Sequence, residues 1–155
     1  MSDARYAIGV DLGTTHCAVS YVDISSSDGE NTEHGLLRIP QLTAPGEVEA
    51  QPLLPSFLYL PHADEMAEGD LNLPWAAQSA FAVGSLARNR GATTPIRLVS
   101  SAKSWLCHPG VDRRAEILPN EAPEEVSRIS PLTADRKSTR LNSSHSRASR
   151  MPSSA

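Results

Sequence analysis

Apolar and polar positions alternate along this chain in short blocks, and the blocks predict more strand than helix. Residues 7–10 and 17–22 are apolar, β-prone runs, and both read as strands. Between them Asp11, Gly13, Thr14 and Thr15 form a polar turn, so the two runs predict a hairpin. Residues 25–31 have the composition of a loop. Residues 35–40 predict a third strand that completes a small antiparallel sheet, with Pro40 at a strand end. Residues 48–51 predict a short strand, and residues 53–60 a longer one with apolar alternation after Pro55.

The pattern then turns helical. Residues 81–84 predict a short strand into a turn. Ser85 is placed to cap a helix over 86–90, with Gly91 ending it. Arg88 and Arg90 suit that helix end, where cations oppose the dipole. Thr94-Pro95 has the form of a cap and first turn, and Leu98, Val99, Ala102, Trp105 and Leu106 recur as one apolar stripe. His108-Pro109-Gly110 stops that helix. Residues 112–125, charged and holding Pro119 and Pro123, read as loop or edge, and residues 126–132 suit either a strand or a helix. Residues 62–78 are acidic and irregular and read as an inserted surface loop, with Trp75 as its anchor.

Composition narrows the classes. The 155 residues suffice for one domain, but 39% hydrophobic residues and 5% aromatics imply a thin aliphatic core. A net charge of −4 argues against general nucleic-acid binding. Two cysteines are too few for a disulfide framework, and neither a signal peptide nor a membrane-length segment is visible. A cytoplasmic, reducing setting is the simplest expectation. The charge is also unevenly spread. Residues 1–134 carry nine Lys+Arg against seventeen Asp+Glu, a net of −8, whereas residues 135–155 carry five against one, a net of +4. That tail is serine-rich and offers only Leu141 and Met151 as large apolar side chains, so disorder is expected. Its run from Asp135 to His145 resembles the translation of a sequencing adapter more than a regulatory tail, which places the end of the native frame near Ala134.

The turn between the first two strands carries the chemistry. Gly13 gives the freedom a tight reversal needs, successive backbone N–H groups in such a turn can form an anion site, and Thr14 and Thr15 add hydroxyl donors. Asp11 beside an anion site makes sense with a divalent cation between them. The competing reading is an ordinary hairpin whose polar residues solvate a turn. His16-Cys17 and Cys107-His108 lack the ligand separation of structural zinc sites, and residues 62–78 lack the spacing of an EF-hand. Neither a Walker-type phosphate loop nor a dinucleotide fingerprint is present.

Asp11-Leu12-Gly13-Thr14-Thr15 resembles the first phosphate motif of actin-like ATPases, in the form used by DnaK-type heat shock protein 70 chaperones. Pro55-Ser56 before Phe57-Leu58-Tyr59, then Val83-Gly84, Ala87-Arg88, Thr94-Pro95 and Ala102-Lys103, follow in that family's order and near its spacing. An ordered set is far more specific than one motif. The resemblance covers roughly residues 6–107. It implies an α/β fold, a partial actin-like (ribonuclease H-like) lobe over residues 1–134 of a longer protein, which would bind ATP and Mg2+ in a cleft and couple hydrolysis to protein folding. In that frame Asp11 orients hydrated magnesium. Gly13, Thr14, Thr15 and His16 present donors to the phosphates, and Thr14 also meets the attacking water. Lys103, the sole lysine of residues 1–134, reaches the terminal phosphate. The implied partners are ATP and ADP, with unfolded polypeptides, a J-domain co-chaperone and a nucleotide exchange factor for the whole protein, and neither nucleic acid nor membrane.

The sequence departs from the family beside Lys103. Ser104-Trp105-Leu106-Cys107 stands where the family has a basic residue and an apolar pair ending in glycine. The family's second phosphate loop, adenosine-contacting segment and peptide-binding domain have no counterpart here. Two other readings stay open: another actin-like protein (a sugar kinase or filament protein), and a binding module without turnover. Sugar kinases share the turn but lack the later Pro-Ser and Ala-Lys segments.

Overall fold

The structure is a computed structural model that describes residues 4–25, 34–77 and 79–140. Most of the loop expected over 25–31, and residues 141–155 of the expected tail, lie outside the described residues.

Among the described residues the chain builds a mixed α/β fold from three small antiparallel sheets and three α-helices. The first sheet holds the expected hairpin, β1 (Tyr6–Leu12) and β2 (His16–Asp23), paired from Tyr6↔Asp23 to Leu12↔Cys17. Its open end is closed by Arg5, whose Nε donates to Asp23 at 3.1 Å. The Asp23 carboxyl is held below its usual range, chiefly by the Ser25 hydroxyl at 2.5 Å and further by Arg5. The other edge of β2 pairs with β3 (His34–Leu36) and β6 (Leu54–Pro55). Among the described residues β1 is therefore an edge strand.

The run expected as one strand over 35–40 divides. Gly35 and Leu36 stay with β2, while Ile39 and Pro40 open β4 (Ile39–Ala44), which pairs with β5 (Glu47–Gln51) in a sheet of its own. The run over 53–60 divides likewise at Ser56. β6 joins β2, whereas β7 (Phe57–Tyr59) forms the centre of a third sheet between β8 (Ala82–Val83) and β9 (Leu98–Ser100). In both cases a continuous pattern serves two sheets: in the first Ile39 is buried while Leu36 stays exposed, and in the second Leu54 joins one cluster while Leu58 and Tyr59 enter two others.

Helix α1 (Ser85–Thr93) begins one residue earlier than expected and is capped differently. Gly84 is the N-cap at φ 78°, a conformation only glycine adopts easily. A Cβ there would also meet Gln41 Oε1 at 2.5 Å. Ser85 is the first helical residue, and its N–H and Oγ both donate to Gln41 Oε1, at 2.9 and 3.0 Å. Gln41, 2% exposed, donates in turn to the Leu53 carbonyl at 2.8 Å. This buried amide ties β4, the residue before β6 and α1 together, satisfying polar groups that would otherwise be costly to bury. Gly91 lies within α1, and its missing side chain makes room for Leu98.

The helix expected from Thr94 to Leu106 is replaced by three elements. Residues 95–97 form one 3-10 turn, Leu98–Ser100 becomes β9 against β7, and only Ala102–Leu106 is helical, as α2. Ser101 at φ 52° makes the break. Sheet pairing of Leu98 and Val99 with Tyr59 and Leu58 outweighs the helical spacing of the stripe. Tertiary pairing overrides a local pattern here.

Three apolar clusters form the core. Leu42, Tyr59, Leu71, Ala82, Leu86 and Ala87 pack between the second and third sheets and α1. Leu58, Val99, Ala102, Leu118 and Ala134 pack on the other face of the third sheet. Cys17, Ile39 and Leu54 join the hairpin to the rest. The acidic insertion is anchored by Leu71, 6% exposed, while Trp75 is half-buried. Tyr59 reaches into the insertion and donates to Glu65 Oε1 at 2.8 Å.

Helix α3 (Pro131–Arg140) crosses the expected boundary at Ala134. Residues 135–140, expected to be disordered, are helical. The start signal is local: the Thr133 N–H donates to the Ser130 Oγ at 3.2 Å and Pro131 follows the cap. Ala134 and Ser138 are buried, and Lys137 Nζ lies 4.2 Å from the Phe81 ring centre. Among the described residues no helix is long and apolar enough to cross a membrane.

Candidate functional site

The hairpin turn is fixed by a segment forty residues downstream. Ser56 donates through its N–H to the Thr15 carbonyl at 2.8 Å and through its Oγ to the Gly13 carbonyl at 3.0 Å. His16 and Cys17 pair with Pro55 and Leu54. Cys17 Sγ sits 3.6 Å from Ser56 Oγ inside the core, which gives that thiol a packing role. Gly13 is required for a reason other than the expected one. Its φ is not in the left-handed region, but a Cβ on it would meet the His16 carbonyl oxygen at 2.3 Å. Close approach of backbone, not turn freedom, demands glycine there.

Lys103 comes to the same turn from 91 positions downstream of Leu12. β9 runs out to Ser101, the kink there starts α2, and the second residue of α2 sends its ammonium to the Leu12 carbonyl, a backbone hydrogen bond across 91 positions. Among the described residues no carboxylate lies within ion-pairing distance of this ammonium. Leu12, Gly13, Thr14, Ser56 and Lys103 line one pocket of about 130 Å3. Its remaining wall is Ala102 and Leu106 of α2 with Asp135, Ser138 and Thr139 of α3. Both α3 hydroxyls donate back to the Asp135 carbonyl.

The expected site residues divide into two groups. Gly13, Thr14 and Lys103 meet at the pocket. Asp11, Thr15 and His16 do not line it. Asp11 is exposed on β1 and by strand alternation points to the face away from Leu12. Among the described residues no three His, Cys, Asp or Glu side chains cluster as a metal site. Magnesium keeps most of its waters and takes one or two carboxylates plus phosphate oxygens, so Asp11, outside the pocket, would meet such an ion only through its waters.

Size sets a further limit. Pockets that enclose drug-sized ligands measure about 300–1,000 Å3. The space of about 130 Å3 beside Lys103 suits a small anionic group and not a whole nucleoside triphosphate. Sequence reading singled out Pro55-Ser56 only as part of an ordered motif set. The clamp Ser56 makes on Gly13 and Thr15 was not foreseen, since nothing in the local pattern pairs positions so far apart. No known protein family model matches the chain, and neither a curated protein nor a solved structure does so.

Proposed function

We propose that this chain is the amino-terminal part of an actin-like ATPase of the DnaK-type heat shock protein 70 class, and that the Gly13 turn and Lys103 form its terminal-phosphate site. The observation that carries the reading is the meeting of Lys103 with the turn. The lone lysine of residues 1–134 lands on the one bend whose sequence suits a phosphate. A random surface lysine has no reason to do so, and a helix of five residues puts little constraint on its aim.

Phosphoryl transfer to water depends on placement and charge neutralisation. Lys103 supplies positive charge and Thr14 a hydroxyl, while Ser56 holds the turn that presents them. Asp11 would hold magnesium through water, and the metal supplies charge neutralisation between phosphates when bound. The nucleoside needs a second wall, which in this reading belongs to later parts of a longer protein. Client polypeptides and co-chaperones also belong to that protein.

Two experiments test the proposal. In the extended reading frame, Lys103→Ala should lower ATP turnover on the order of a hundredfold or more while nucleotide binding persists. Unchanged turnover would remove the assigned role. For the 155-residue chain alone, calorimetry with Mg-ATP should show no micromolar binding and no hydrolysis; micromolar affinity would contradict the incomplete site.

A further inference from the structure

The pocket beside Lys103 has an uneven hydrogen-bonding lining. Its donors are few. The Lys103 ammonium carries three hydrogens and gives one to the Leu12 carbonyl, so two remain. Thr14 of the turn adds a hydroxyl. The other hydroxyls of the lining have spent their protons. Ser56 Oγ donates to the Gly13 carbonyl at 3.0 Å. Ser138 Oγ and Thr139 Oγ1 donate to the Asp135 carbonyl, at 3.1 and 2.7 Å. A hydroxyl whose proton is committed has only lone pairs left to present. Asp135 belongs to the same α3 wall, and a carboxylate accepts without donating. The wall is firmly seated, because Pro131, Ala134 and Ser138 are buried. A cation and a donor hydroxyl thus share the pocket with a wall of acceptors.

We infer that this pocket selects an oxyanion that keeps a proton of its own, and that it takes inorganic phosphate in preference to sulfate. This selectivity rests on the terminal-phosphate reading of the site and adds a proton to it. Negative charge alone would satisfy Lys103 with either ion, and the two are alike in size and tetrahedral shape. They differ in hydrogen. At neutral pH phosphate retains at least one P–OH, whereas sulfate retains none. Phosphate turns its bare oxygens to Lys103 and Thr14 and donates its P–OH to Ser138 or Thr139. Sulfate leaves those acceptors without a donor and sets a second anion against Asp135. A site whose polar groups need a hydrogen from the ligand rejects the analogue that lacks it. The volume of about 130 Å3 admits an ion of this size.

NMR titration of the intact 155-residue chain with sodium phosphate and with sodium sulfate, at neutral pH and matched ionic strength, tests the inference. Shifts at the Gly13, Thr14 and Lys103 amides should report phosphate binding at least about tenfold tighter than sulfate binding. Ser138→Ala with Thr139→Val removes both wall oxygens and keeps the helical backbone bonds. It should lower the preference roughly threefold or more by weakening phosphate alone, while Thr139→Ser should keep it. Lys103→Ala should weaken both ions alike. Equal affinity for the two ions overturns the inference. So does a preference for sulfate, or a phosphate preference that survives the double variant unchanged. In each of these cases shifts that vanish in Lys103→Ala leave the terminal-phosphate reading standing, and shifts independent of Lys103 remove it as well. No shift with either ion also overturns the inference, and turnover of Lys103→Ala in the extended reading frame then judges that reading by itself.

Discussion

At the scale of single residues three positions carry separate jobs: Gly13 in the turn, Tyr59 in the core and Lys103 at the site. Gly13 faces a backbone oxygen at a distance no Cβ tolerates, so Gly13→Ala should cost about 1–3 kcal/mol by forcing the turn apart. Chemical denaturation of the variant reads this directly. Tyr59 is fully buried and donates to Glu65, and burial together with that carboxylate pushes its phenol pKa up. The folded state thus holds the phenol proton more tightly than the unfolded chain. The associated stability is intact below the unfolded phenol pKa of about 10 and is lost as pH rises through the higher folded value. Melting temperatures should therefore fall on the alkaline side of about pH 10, and Tyr59→Phe should flatten that limb while costing about 1 kcal/mol at neutral pH. Lys103 differs from both: it is exposed, and the account gives it a role in the site and none in the core.

Among the elements, the hairpin was legible in the sequence because its two β-prone runs flank a compact polar turn, and β5, β8 and the stop after α2 follow equally local signals. The longer apolar runs were not. Residues 94–106 match a helical stripe, yet Leu98 and Val99 find strand partners in Tyr59 and Leu58, and such partners are invisible to a local pattern. The cap of α1 was misread by one position because Gln41, over forty residues upstream, claims the Ser85 hydroxyl and N–H. At the site, Gly13, Thr14 and Lys103 could be named from motif order, while the Ser56 clamp and the α3 wall rest on distant contacts. In the acidic insertion Trp75 drew attention by size, but Leu71 enters the core. Leu71→Ala should cost about 2–5 kcal/mol and release the insertion, seen as faster proteolysis between residues 62 and 78.

For the whole molecule, α3 is the test of where the folded unit ends. A compositional break suggests an end near residue 134, whereas α3 runs on to residue 140 with Lys137 against Phe81 and Ser138 buried. A chain cut after Ala134 should therefore lose at least about 1 kcal/mol of stability, and an unchanged unfolding midpoint would return residues 135–140 to the status of an appendage. The central claim concerns the meeting of Lys103 with the Gly13 turn at one anion site. NMR titration of the intact 155-residue chain with Mg-ATP tests it most directly. The account expects weak, millimolar-range shifts concentrated at the amides of Gly13, Thr14 and Lys103, and their loss in Lys103→Ala. Shifts centred elsewhere, shifts that persist without the lysine ammonium, or none at all would contradict it.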